Sequence, residues 1–195
     1  MGAGIWPYCI DVEELRALYG SGDMTVLERI EGLDYLDDDW DEPDEDGVPT
    51  TRTAASAILK GGLNTKPSPH AHCYRNALEW ICRVLGDELP NSDQFEKFSD
   101  SKSIDRVLAK MGLRAECCLT ALWDRGAPVP IPIPDDTTDE GIGYLTQEEV
   151  KEAWSVLKTP DLLGVDGQIA GCVMVYRSWL EKASAVNKGI VGFFG

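Results

Sequence analysis

The chain is short of positive charge. Its 195 residues contain 18 lysines and arginines against 34 aspartates and glutamates, which gives a formal net charge of −16 at pH 7. Proteins that bind nucleic acids or anionic lipids displace counterions with clustered Lys and Arg. This deficit argues against a nucleic acid or a membrane as a partner. The excess of carboxylates would attract a basic protein and speed its association, although the same charge also serves solubility.

Long apolar runs are also absent. No stretch approaches the roughly 20 apolar residues that span a bilayer, and the N-terminus lacks the basic start and apolar core of a secretory signal. We therefore expect a soluble protein of the cytoplasm. With 195 residues, 43% of them hydrophobic, the chain can bury one substantial core, so residues 1–195 are predicted to form a single globular domain.

Histidine is scarce, which limits metal and catalytic chemistry. The two histidines, His70 and His72, lie beside Cys73 at the start of a predicted helix. Imidazole and thiolate suit a transition metal, but adjacent helical side chains point in different directions, so we predict no metal site. A cysteine nucleophile would need one of these histidines and an oxyanion donor. No motif around any cysteine indicates such a site.

Glycine-rich phosphate loops are missing as well. Gly20, Gly22, Gly61 and Gly62 are typical of helix ends, and Gly141 and Gly143 lack the lysine and helix geometry of a nucleotide cradle. An enzyme that uses ATP or NAD is therefore disfavoured, and we predict no cofactor.

The six cysteines are compatible with three disulfides in a secreted protein. However, Cys82 and Cys172 fall on apolar faces of predicted helices, where a thiol acts as a small hydrophobic group. We therefore expect reduced thiols. The vicinal pair Cys117 and Cys118 would also permit redox sensing, although no other feature of the sequence supports it.

Apolar residues recur at helical spacing in seven segments. These segments lie at about residues 11–20, 23–32, 51–60, 69–85, 103–112, 146–157 and 168–185. In the clearest of them, 69–85, Glu79 lies four residues from both Arg75 and Arg83 and can pair with them. Thr146 and Glu149 have the spacing of a capping box at the start of the sixth segment.

Three short segments predict strands. Two of them, Ile5–Ile10 and Ile190–Phe194, lie at the ends of the chain and could pair, and residues 113–123 alternate between apolar and other residues. The predicted fold class is therefore α+β and predominantly α-helical. About six to seven helices surround one core, with a small sheet formed by the terminal strands and the 113–123 segment.

Prolines occupy every second position from Pro128 to Pro134. Because proline has no backbone N–H and favours an extended path, this pattern suits neither a helix nor a central strand. Val129, Ile131 and Ile133 would project together from the other side. We predict an extended proline-rich arm at about residues 126–135 that lies over a core.

The segment DYLDDDWDEPDED, residues 34–46, holds nine carboxylates in thirteen residues. Such a run repels itself and has little apolar surface, which predicts a mobile acidic loop at about residues 34–49. It lacks the ligand register of an EF-hand. An exposed Trp40 would offer an aromatic anchor to a partner. The candidate partner-binding residues are Asp37, Asp38, Asp39, Trp40, Asp41, Glu42, Asp44, Glu45 and Asp46.

The segment HAHCYRNALEWICRVLGDELPNS, residues 70–92, resembles a block of an uncharacterised bacterial family, largely actinobacterial, whose function is unknown. Similar pieces are the opening IDVEELRALYGSGD, the arm PIPIPDD with the following GIGYLTQEEV, and the closing YRSWLEKA and GIVGFFG. The resemblance covers most of the chain. It implies a bacterial protein of one domain, and it supplies no known activity or functional residue that could be transferred to this chain.

Two classes of function fit these observations. The preferred hypothesis is a protein-binding module, in its most concrete form an acidic inhibitor or immunity-type protein that masks a basic partner such as a toxin. The alternative is a small hydrolase or transferase, or a ligand-sensing domain, with a pocket between the 69–85 helix and the proline-rich arm. Its candidate residues are His70, Tyr74 and Asp135, whereas pairing with the two arginines explains Glu79 better.

Overall fold

A computed structural model describes residues 4–33, 40–41, 48–90, 101–132 and 141–195. These residues form eight α-helices and four strands. In chain order the elements are β1 (Ile5–Ile10), α1 (Val12–Leu18), α2 (Thr25–Glu31), α3 (Thr51–Lys60), α4 (Ala71–Leu85), β2 (Asp87–Glu88), α5 (Ser101–Lys110), α6 (Ala121–Asp124), β3 (Gly141–Leu145), α7 (Gln147–Leu157), α8 (Gly167–Ala185) and β4 (Gly189–Phe194). The predicted α+β, predominantly helical class is confirmed. Within these ranges, no helix is both long enough and apolar enough to cross a membrane.

The chain groups into two compact units that interleave along the sequence. The first unit takes its described residues from 1–12, 88–126 and 139–195, and the second from 13–87 and 127–138. Each unit has its own set of buried apolar side chains. That the whole chain behaves as a single domain stays a prediction.

A four-stranded sheet organises the first unit, with the strand order β2-β1-β4-β3. β4 lies in the middle and pairs antiparallel with both β1 and β3, so that Ile5 and Gly141 each lie opposite Phe194. The predicted pairing of the two terminal strands is confirmed. The first five residues of β4 are buried, which explains its continuous apolar sequence, because a strand covered on both faces does not alternate.

The prediction of a strand over residues 113–123 is wrong. The segment contains a 3-10 helix at Ala115–Cys117 and the short helix α6, and its backbone bonds are local, such as Cys118 N to Ala115 O at 3.1 Å. Three consecutive residues, Cys117 to Leu119, are buried. A coiled backbone can turn all three inward, whereas a strand with one buried face cannot. The edge position in the sheet belongs instead to β3.

The long helix α8 is central to the core of the first unit. The hydroxyl of Tyr176 donates to the carbonyl of Cys117 at 2.6 Å, and the indole N–H of Trp179 donates to the carbonyl of Pro90 at 2.8 Å. Both aromatic rings are fully buried, so these bonds satisfy the polar ends of large apolar groups. The neighbouring helix α7 begins with the predicted capping box of Thr146 and Glu149, which is confirmed.

Helices α2, α3 and α4 pack together in the second unit. The described part of the proline-rich arm, residues 127–132, adds buried Val129 and Ile131 to this unit and forms no strand. Arg16 of α1 donates to the carbonyl of Pro128 at 3.3 Å. The predicted helix 69–85 starts at Ala71, with His70 at its N-cap position. This start places the residues before α4 in a turn, which shapes the site described next.

Candidate functional site

Trp40 attaches the acidic segment, residues 34–46, to the second unit. Its side chain is only 4% exposed, and its ring meets Trp80 of α4 edge to face, with centroids 6.2 Å apart. Such pairs contribute about 0.5–1.5 kcal/mol beyond the area that they bury. The expectation of an exposed Trp40 is therefore wrong, because burial against a second indole stabilises the ring more than solvent does. Trp40 holds the segment to the fold.

Charged side chains of α4 form ion pairs beside Trp80, and one of them contacts its ring. Glu79 lies 3.1 Å from the guanidinium of Arg83 and 3.9 Å from that of Arg75. The Arg83 guanidinium also lies over the Trp80 ring, 4.5 Å from its centroid, in a cation–π contact. The predicted pairing of Glu79 with both arginines is confirmed. The Glu79 carboxylate thus pairs with the same Arg83 guanidinium that lies over the Trp80 ring.

Asp41 follows Trp40 and is exposed. Its charge acts on Arg52 of α3, whose side chain bonds Glu31 of α2 at 2.6 Å. The pKa of Arg52 is raised, first by the hydrogen bond and charge of Glu31 and more weakly by Asp41. Asp41 therefore lies within electrostatic reach of the α2–α3 face.

The other candidate residues of the acidic segment lie outside the described residues, as does Asp135. The candidate residues of the acidic segment outside the described residues are Asp37, Asp38, Asp39, Glu42, Asp44, Glu45 and Asp46. Their contribution to the charge of the chain is nevertheless clear from the sequence. The described residues contain 19 Asp and Glu and 17 Lys and Arg, so they carry −2 of the net −16. The remaining −14 belongs to the segments 34–39, 42–47, 91–100 and 133–140.

Ion pairs account for much of the charge in the described part of the chain. Seven arginines pair there with carboxylates. The pairs are Arg16–Glu13, Arg52–Glu31, Arg75–Glu79, Arg83–Glu79, Arg114–Glu152, Arg125–Glu149 and Arg177–Glu181. The exposed pairs among them, such as Arg114–Glu152, add little stability. Their effect is to leave these surfaces close to neutral, in contrast to the acidic segments.

A cavity of about 330 Å³ lies in the second unit where α4 begins. The predicted pocket residues His70 and Tyr74, four positions apart, both line it, and Pro132 of the proline-rich arm lies in the same wall. The other apolar residues of the wall are Pro49, Leu63 and Pro67. Its other polar residues are Asn64, Lys66 and Ser68.

Sequence reasoning missed the turn that supplies Asn64, Lys66 and Ser68 to this wall. The Asn64 side chain accepts a hydrogen bond from the Lys66 N–H at 3.1 Å, and the Ser68 hydroxyl accepts one from the His70 N–H at 3.2 Å. Asn and Ser commonly close turns in this way. The spacing of these residues in NTKPSPH, residues 64–70, is a signal that could have identified the turn.

The histidines and Cys73 do not converge on one point. His70 lines the cavity, whereas Nε2 of His72 lies 3.3 Å from Sγ of Cys73. Among the described residues, no group of three or more His, Cys, Asp or Glu side chains is arranged to hold a metal ion. The described geometry therefore gives no support to metal chemistry at this helix start.

All six cysteines lie within the described residues as buried thiols that form no disulfide there, in agreement with the expectation of reduced thiols, which stays a prediction. Burial raises the pKa of Cys118 to about 12 and that of Cys172 to about 11. Burial also raises the pKa of Cys117, and the nearby Glu152 raises it further. Because the thiolate is the reactive form, burial and the raised pKa disfavour reaction of these thiols in the folded protein.

We expect the native protein to react slowly with Ellman's reagent, because a pKa near 11 leaves about one thousandth of a thiol ionised at pH 8. The same protein unfolded in guanidinium chloride without reductant should release the colour of six thiols. A sample reduced beforehand provides the control. A count below six in the unreduced sample would indicate a disulfide, and rapid reaction of the folded protein would contradict thiol burial.

Comparison with known proteins identifies a family for this chain but no activity. No curated protein and no solved structure matches it. The model of a family described as a domain of unknown function (DUF7691) matches residues 1–195. The predicted resemblance to an uncharacterised family is thereby confirmed over the full length of the sequence. The chain belongs to the DUF7691 family of domains of unknown function.

Proposed function

We propose that this protein is a binding module for a basic protein, and that it acts as an acidic inhibitor or immunity-type protein that masks its partner, such as a toxin. The observation that supports this function best is the placement of its charge. The acidic segment alone, residues 34–46, carries nine of the 34 carboxylates of the chain and none of its 18 lysines and arginines. Solubility depends on net charge and does not require charges to lie close together, whereas attraction of a basic patch on a partner does.

Concentration of charge matters because salt screens each carboxylate beyond about 8 Å at physiological ionic strength. The acidic segment places nine carboxylates in thirteen residues without a lysine or arginine among them. Charges that close together act on the same patch of a partner. They raise its association rate by about 10- to 1,000-fold when the patch is basic.

The attachment of Trp40 to the fold favours partner binding by the acidic segment, compared with a segment that has no such attachment. Its burial against Trp80 fixes one point near the middle of the segment. An extended residue spans at most about 3.6 Å, so the candidate residues from Asp37 to Asp46 stay within about 22 Å of that point. A tether of this kind lowers the entropy that is lost when a partner orders the carboxylates.

We expect neutralisation of Asp38, Asp39, Glu42 and Asp44 to Asn or Gln to weaken partner binding about tenfold or more and to flatten its dependence on salt. The partner would first be captured from native cells at low salt, released at high salt and identified by mass spectrometry. Binding would then be measured at several salt concentrations.

A matched variant neutralises four exposed carboxylates of the described surface, Glu28, Glu116, Asp124 and Glu148. It loses the same charge from other places, so its affinity should change little. Equal losses in the two variants would show that only net charge matters. Unchanged affinity and salt dependence in the first variant would refute binding through the acidic segment.

A further inference from the structure

We propose that the cavity at the start of α4 binds a small organic anion, a ligand with a carboxylate or phosphate group on an apolar body. The function proposed above does not use this cavity. The described residues that line it belong to the second unit, and its volume is about 330 Å³. Ligand pockets commonly begin at about 300 Å³, so the space suits a ligand with a single ring.

The polar side chains of the wall are mostly hydrogen-bond donors without partners. Within the described part of the chain, no hydrogen bond or ion pair engages the side chains of Lys66, His70 or Tyr74. An ammonium donates only, and an imidazole and a phenol can each donate one bond when neutral. Three donors around one cavity are therefore available to an incoming oxyanion.

The acceptors of the wall are partly occupied. The Asn64 side-chain oxygen and the Ser68 hydroxyl oxygen each accept a bond from a backbone N–H of the turn. This leaves the Asn64 amide NH₂ as a further donor. Among the nine described residues that line the cavity, none is a carboxylate, although acidic residues outnumber basic ones in the chain. The wall is thus matched to a negatively charged group.

The apolar wall determines the rest of the ligand. Pro49, Leu63, Pro67 and Pro132 line the same cavity. A fully hydrated inorganic ion would leave these surfaces uncovered, whereas an aromatic or aliphatic body would cover them and gain from the burial. The ligand class that fits both walls is therefore an organic anion.

The two histidines allow a direct test by NMR on the full chain. The imidazole C–H signals of His70 report on the cavity, which His70 lines. Those of His72, which lies beside Cys73 and is not among the lining residues, serve as an internal control. The probes are phenyl phosphate and benzoate, with benzyl alcohol as the neutral analogue. Both anions, or one of them, should shift the His70 signals saturably at concentrations up to about 10 mM, and His72 should shift less.

Two substitutions test the recognition of the charge. Lys66→Gln should weaken binding of the anion about tenfold, because a charge-assisted hydrogen bond is lost. Lys60→Gln removes the same charge from an exposed residue of α3 that does not line the cavity, and should leave the affinity within about twofold. Tyr74→Phe should weaken binding by removing only a hydroxyl.

Three results would overturn the anion site. They are the absence of any His70 shift with either anion, binding of benzyl alcohol as tight as that of the anions, and equal losses in Lys66→Gln and Lys60→Gln. Each substitution lies on or near the surface, and the dispersion of the NMR spectrum reports whether the variant is folded. Loss of this site would leave partner binding by the acidic segment untouched.

Discussion

Replacement of Gly143 by alanine is expected to destabilise the first unit by about 3 kcal/mol or more, enough to unfold a marginal protein. A Cβ at this position would overlap the carbonyl oxygen of Ala121 and would lie 2.5 Å from the carbonyl carbon of Leu122. Both atoms belong to the backbone of α6, which cannot move aside as a flexible side chain can. The midpoint of guanidinium unfolding, followed by circular dichroism, measures the loss.

Gly167→Ala is the matched control for Gly143→Ala. Gly167 is the first residue of α8, and a Cβ there meets nothing within 4 Å. Its backbone needs no left-handed conformation, so alanine should be neutral or stabilise the protein by up to about 1 kcal/mol. If both variants unfolded at the denaturant concentration of the unmodified protein, the close approach of α6 to β3 would be disproved.

Trp40→Ala should cost about 3–5 kcal/mol of stability in the second unit, because it removes a large buried ring and its contact with Trp80. It should also weaken partner binding, since the acidic segment loses its attachment. Unfolding curves and the binding assay for the captured partner measure the two effects. Neutralisation of the carboxylates should change binding alone, which separates the tether from the charge.

Trp40→Phe tests the same contact with a smaller change. The indole N–H of Trp40 is buried and has no hydrogen-bond partner among the described residues. An unsatisfied buried donor costs about 1–3 kcal/mol, so its removal offsets part of the lost ring area. We expect Trp40→Phe to retain most of the stability. A loss as large as that of Trp40→Ala would contradict this account, as would an unchanged unfolding midpoint for Trp40→Ala.

The elements that the sequence predicted correctly are those that depend on residues close together in the chain. The helical stripe of residues 69–85, the Thr146 capping box and the two terminal strands appear where the sequence places them. Strand β3 escaped prediction because Gly141 and Gly143 occupy positions where a strand usually carries β-branched or aromatic residues. Those glycines are explained only by α6, whose backbone approaches them closely. A contact between two segments that are separated in the chain, such as α6 and β3, produces no repeating pattern in the sequence.

The candidate sites show the same limit. His70 and Tyr74 were found together because four residues separate them on one helix, whereas Lys66 reaches the cavity through a turn that precedes the helix. For Trp40, composition pointed to an exposed residue in a charged loop. Its actual partner, Trp80, lies forty positions away. Only the folded chain shows that one indole in the acidic run has a place in a core.

The pairing of β1 with β4 also sets the order in which this protein can fold during synthesis. A ribosome makes Ile5–Ile10 before the helices α1 to α8 and their partners Gly189–Phe194 after them, so β1 has no β4 to pair with while those helices are synthesised. An apolar strand with open hydrogen-bonding groups is prone to join other chains during that time. Pro7, in the middle of β1 and opposite Gly192, removes one backbone donor from this strand. This strand therefore offers one backbone donor fewer to another chain until β4 is made.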